Sequence, residues 1–98
     1  MIFEIVVEKR ALFDIQCAID YYDQQQIGLG KKFLSEIEKH FSSINRNPFY
    51  QIRYNRVRCL PVIKFPFMIH FLLDEKEKTA YIISVFHTSQ NPDKWTEV

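Results

Sequence analysis

The sequence predicts an α+β fold in the order β-α-α-β-β-β, an antiparallel sheet carrying an N-terminal α-hairpin on one face. Three observations carry that expectation. Apolar residues recur at spacings of three and four through the first half, as amphipathic helices require. In the second half, β-rich runs alternate with turn signals, as a meander of antiparallel strands requires. Neither helix can bury its apolar stripe alone, so the two must lie on each other or on that sheet.

Taken in order, Ile2 to Val7 is short, β-branched and interrupted only by Glu4, and reads as a first strand. Ala11, Ile15, Ala18, Ile19 and Tyr22 then trace one face of a helix, with Asp14, Gln16, Asp20 and Asp23 largely on the other. Gly28 and Gly30 mark a helix stop and a tight reversal, because glycine takes the left-handed conformation without steric cost. Phe33, Leu34, Ile37, Phe41 and Ile44 repeat the helical period, which ends near Asn45–Asn47 before Pro48. From Ile52 the alternation reads as a strand with Arg56 and Arg58 on one face and Val57 and Cys59 on the other. Pro61 ends it, bulges it or confines it to an edge. Phe67 to Leu73 is apolar except for His70, as a central strand covered on both faces would be. Asp74 to Lys78 is a charged hairpin connection, and Tyr81 to Phe86 is the last strand.

With 98 residues the chain forms one domain, 1–98, and its 47% hydrophobic and 15% aromatic content argues against disorder. Cys17 and Cys59 lie far apart, each among apolar residues, which predicts two buried free thiols in a reducing cytoplasm. No His or Cys stands at ligand spacing, so no metal and no cofactor are expected. No run approaches the ~18–20 apolar residues of a membrane span. The opening residues lack the basic and apolar segments of a signal peptide, so a cytoplasmic protein away from membranes is expected.

Charge is the first functional clue. Between Lys39 and Leu73 stand six cations (Lys39, Arg46, Arg53, Arg56, Arg58, Lys64) and no Asp or Glu. Residues 1–38 carry four basic and seven acidic groups, and 74–98 carry three and five. A chain of net charge +1 therefore has a basic centre. Arg56 and Arg58, with Arg53 and Lys64 nearby, are candidates for contacts to phosphates or carboxylates; the alternative is a solvated strand face. His87, at the end of a strand, could exchange protons near neutral pH or could hold loop backbone, and the second role is favoured. His70 is expected to be a core or interface histidine. Tyr21, beside the core-facing Tyr22, and Trp95 are candidate anchors for a partner; for Trp95, covering the sheet is the preferred role.

The ordered set of residues resembles the RelE/ParE superfamily, small bacterial toxins of type II toxin–antitoxin (plasmid stabilisation) pairs. The resemblance runs through Ala11, Asp14, Ile15, Ala18, Ile19 and Tyr21-Tyr22 to Phe33-Leu34 and Ile37. It continues through Asn47-Pro48, Val57-Arg58, Phe65-Pro66-Phe67, Ile69, Val85-Phe86-His87, Asn91-Pro92 and Trp95. It implies a toxin silenced by a cognate antitoxin, whose acidic segment would meet the basic face. The ParE branch is nearer, through Phe-Pro-Phe and His-x-x-x-Asn-Pro, and implies a protein that poisons DNA gyrase by binding it rather than an enzyme. The RelE branch implies an endoribonuclease cutting mRNA on the ribosome, here with Arg56, Arg58, Lys64 and His87 as candidate catalytic groups. Two departures bear on toxicity: Gln90 stands where members often have Arg, and no Tyr follows Tyr81. A degenerate member that binds antitoxin without poisoning anything is the third reading.

Overall fold

The computed structural model describes residues 2–89. Their order is β1 (Glu4–Val7), α1 (Lys9–Gln25), α2 (Leu29–Arg46), β2 (Ile52–Tyr54), β3 (Val57–Pro61), β4 (Phe67–Asp74) and β5 (Thr79–His87). The five strands form one sheet in the order β1-β5-β4-β3-β2. The α+β class and the helical hairpin on a sheet are as the sequence predicts.

Two features of the sheet differ from expectation. Strands β2 to β5 form the antiparallel meander, but β1 pairs parallel to β5, Glu4 opposite Thr79 and Val7 opposite Ile82. The sheet is therefore mixed. After β1 the chain turns at once into α1, and the free edge of the last meander strand is the edge it meets. The second difference is that the run from Ile52 to Pro61 is two strands. Asn55 (φ 39°) and Arg56 (φ 68°) both take positive φ, the backbone of a two-residue hairpin turn matched to the twist of its strands. No glycine marks that turn, and Asn is among the few other residues that tolerate the conformation.

The glycines divide the work of the helical reversal. Gly28 takes the left-handed conformation at φ 88° just before α2. Gly30 is helical, and its role is close approach: a Cβ there would lie 2.5 Å from the Ile19 carbonyl oxygen. Its N–H donates to Asp23 Oδ1 at 2.9 Å, pinning α2 to the end of α1.

The core lies between the hairpin and one face of the sheet. Ala11, Ile15 and Ala18 of α1 and Phe33, Ile37 and Ile44 of α2 meet Ile69, Phe71, Ala80, Ile82 and Val85. Phe33 is wholly buried, its ring 5.5 Å from Tyr22, 5.2 Å from Phe65 and 5.1 Å from Phe67. Removing so large a buried ring costs about 3–5 kcal/mol. His40 fills the α2 core position between Ile37 and Ile44. Its Nδ1–H donates to the Glu36 carbonyl at 2.6 Å, and its Nε2 accepts the Ile63 N–H at 3.1 Å. That histidine fastens α2 to the β3–β4 turn.

Candidate functional site

The basic centre of the sequence is dispersed by the fold. Arg53 is exposed on the short edge strand β2. Arg56 sits in the β2–β3 turn, so it does not share a strand face with Arg58 as the alternation predicts. Arg58, opposite Phe71, turns toward the helical side of the sheet. Its Nη1 donates to the Tyr50 carbonyl at 2.8 Å and its guanidinium lies 5.5 Å from the Phe49 ring centre. Lys64 is in the β3–β4 turn, at the far end of β3, with its Nζ 3.7 Å from Glu36 Oε1. The same oxygen is 3.4 Å from Lys39 Nζ.

On the face of the sheet away from the hairpin, three side chains converge across three strands. The Tyr54 hydroxyl is 3.0 Å from His70 Nδ1, and Cys59 Sγ is 3.5 Å from the same nitrogen. Both partners can donate, which the tautomer with its proton on Nε2 accommodates. His70 is wholly buried, as expected of a core histidine. Burial first, and the nearby positive charge of Arg53 second, push its pKa down to about 4. Burial pushes Tyr54 up to about 12 and Cys59 up to about 11. All three groups are neutral at pH 7, so the cluster offers neither a thiolate nor an imidazolium.

A groove of about 380 Å³ lies between α1 and the sheet, lined by Phe13, Asp14, Cys17, Tyr21, Phe67 and His87 among others. Phe13, Cys17 and Tyr21 follow one another at four-residue spacing on the outer side of α1. Phe13 is 67% and Tyr21 57% exposed, a large apolar surface for a helix in contact with water. Cys17 is exposed here rather than buried: it is one residue before core-facing Ala18 and two after Ile15, which turns it off the core stripe. Cys59 is buried as predicted. Asp14 closes the groove's inner wall, its Oδ2 accepting the Val85 N–H at 3.0 Å. His87 Nδ1 accepts the Ser89 N–H at 3.0 Å and lies 2.7 Å from Ser89 Oγ, an arrangement that holds the loop after β5. Trp95, Gln90 and Asn91-Pro92 lie outside the described residues. Among the described residues no three His, Cys, Asp or Glu side chains gather closely enough to hold a metal ion, and no helix is long and apolar enough to cross a membrane.

By sequence the chain matches no family model and no curated protein. By structure it is similar to a chain of the chromosomal ParDE toxin–antitoxin system from P. aeruginosa, at TM-score 0.79 and 15% identity, over 90% of this chain and 98% of that one. The fold is that of the RelE/ParE toxins. A chain of the intact E. coli RelBE complex matches at TM-score 0.69 and 12% identity, over 90% of this chain and 99% of that one. The isolated E. coli RelE toxin matches at TM-score 0.66 and 10% identity, over 97% and 94%.

On this RelE/ParE fold, the four residues that a ribonuclease reading would use do not gather. Arg56 is in one turn, Lys64 is in another beyond the opposite end of β3, Arg58 is engaged with Tyr50 and Phe49, and His87 is bonded to Ser89. Sequence reasoning missed His40 as an anchor, although the 33-37-40-44 spacing contains it. It also missed the exposed Phe13–Cys17–Tyr21 row, of which only Tyr21 is expected from the sequence to be exposed and Cys17 is expected to be buried.

Proposed function

We propose that this chain is the toxin of a type II toxin–antitoxin pair, ParE-like, acting by binding DNA gyrase and held silent by a cognate antitoxin. The fold shared with ParDE and RelBE chains supports the toxin class. The dispersal of Arg56, Arg58, Lys64 and His87 supports binding over RNA cleavage. Attack by a 2′-hydroxyl needs a base, an acid and charge stabilisation at one phosphate. Of the histidines, His40 and His70 are buried, and His87 is committed through Nδ1 to Ser89. The antitoxin's docking surface includes the α1 groove, with Tyr21 and Phe13 as apolar anchors, and a separate basic patch at the β2 edge, where the exposed cations Arg53 and Arg56 draw in an acidic segment. Arg58, bonded to the Tyr50 carbonyl and lying over Phe49, is a scaffold residue beside that edge.

The test is enzymatic on both sides. Purified protein is expected to inhibit gyrase supercoiling and to leave ribosome-bound mRNA uncut in a translating extract. Position-specific mRNA cuts that vanish in His87→Ala would replace this reading with the RelE-like ribonuclease. Antitoxin binding with neither effect would leave the degenerate member.

A further inference from the structure

A second groove, of about 530 Å³ and sharing no lining residue with the first, lies between α2 and the β3–β4 turn. Its lining is Leu29, Lys32, Ser35, Glu36, Lys39, Lys64 and Phe65. We infer that this groove is a docking site for an acidic protein segment carrying one apolar anchor residue, separate from the α1 groove. The inference stands on its own geometry, whether or not the chain is a toxin.

The electrostatics are built around a single carboxylate. The Glu36 side chain is only 12% exposed, and its Oε1 faces both Lys39 Nζ at 3.4 Å and Lys64 Nζ at 3.7 Å. Lys32, one turn before Glu36 on α2, adds a third ammonium to the rim. Three cations against one anion leave the lining at net +2. Glu36 thus holds two lysines over the groove without neutralising the rim, at sites where their own repulsion would otherwise spread them.

The floor is apolar and fixed. Phe65 is held edge-on by Tyr22 at 5.0 Å and by Phe33 at 5.2 Å between ring centres. The turn that carries Lys64 and Phe65 is anchored to α2 by the Ile63 N–H to His40 bond, and is closed by the Val62 N–H to the Phe67 carbonyl at 2.9 Å. A wall fastened at both ends loses little freedom on binding, which favours recognition.

These features select a peptide over a nucleic acid. An apolar side chain can sit on Leu29 and Phe65 while flanking carboxylates reach the lysines. Peptide N–H groups can donate to Glu36, whereas a DNA phosphodiester backbone brings it only further negative charge.

The probe is a fluorescent decapeptide of Asp and Glu around one Leu or Phe, titrated against the full chain. An oligodeoxynucleotide of equal charge is the comparison. The peptide is expected to bind with an affinity that falls about tenfold or more in Lys39→Glu and in Lys64→Glu, and weakens with added salt. Lys76→Glu, an equal charge change in the β4–β5 turn, is expected to bind as the wild type does. Replacing the apolar residue of the peptide by Ser should weaken binding further. Circular dichroism of each variant separates lost docking from lost fold. Undetectable peptide binding, equal loss in Lys76→Glu, or tighter binding of the oligonucleotide would each overturn the inference. None of those results bears on growth arrest, so the toxin reading is tested separately.

Discussion

The hydroxyl of Tyr54 on β2 lies 3.0 Å from Nδ1 of His70 on β4, a contact that bridges the intervening strand β3. It ties the three-residue edge strand to the centre of the sheet, where ladder bonds alone would hold it weakly. The same bond makes the edge sensitive to protonation, because an imidazolium at His70 would lose its acceptor at Nδ1.

Stability is therefore expected to depend on pH through His70. Its folded pKa of about 4 lies below the 6.5 of the unfolded chain, so the unfolded state takes up the proton first. This contribution is fully present above pH 6.5 and is lost as pH falls toward 4, on the order of 3 kcal/mol in all. Histidine-ring NMR should show His70 neutral at pH 5.5. Titration of its ring near 6.5 would contradict the buried cluster.

The two thiols should differ sharply. Cys17 is exposed in the α1 groove, whereas Cys59 is buried with its pKa pushed up to about 11. Iodoacetamide at pH 8 is expected to modify Cys17 alone in the native protein and both residues in denaturant, read by mass spectrometry. Comparable native rates would refute the placement. An adduct on Cys17 is also expected to block antitoxin docking, since Phe13 and Tyr21 flank it on the same face.

Gly30→Ala is expected to destabilise by about 1–3 kcal/mol, because the new Cβ meets the Ile19 carbonyl and only a shift of the helices relieves it. Gly28 has nothing within 4 Å of its added Cβ, so any cost there comes from its positive φ. Denaturant midpoints of the two alanine variants measure these effects, and an unchanged midpoint for Gly30→Ala would mean the helices do not approach so closely.

Much of this architecture was legible. The helical stripes of Ala11, Ile15 and Ala18 and of Phe33, Ile37 and Ile44 are the core, because burial against a sheet demands that period. The strand-ending Pro61 and central β4 also follow from local chemistry. The parallel edge at β1 was not legible, since nothing in Glu4–Val7 encodes which distant strand it joins. Nor was the turn at Asn55–Arg56, whose positive φ comes without glycine and breaks the apparent arginine face. Charge in sequence proved a poor guide to charge in space: one cation-rich segment becomes an edge, a turn, a scaffold residue and a separate groove.

Arg58 and Arg53 should accordingly separate in effect. Arg58→Ala removes the bond to Tyr50 and the cover over Phe49, and is expected to cost about 1–2 kcal/mol of stability. Arg53→Glu is expected to change stability by no more than ~0.5 kcal/mol. It should slow antitoxin association, most at low salt. Paired unfolding and stopped-flow measurements test this. Equal stability losses, or an association rate untouched in Arg53→Glu, would remove the β2 edge from the docking surface.

The most direct measurement of the proposal is growth of bacteria carrying the wild-type chain under an inducible promoter, with soluble protein quantified in the same cultures. Induction alone is expected to arrest growth, and co-expression of the cognate antitoxin to restore it. Normal growth while soluble, folded protein accumulates would contradict the toxin reading.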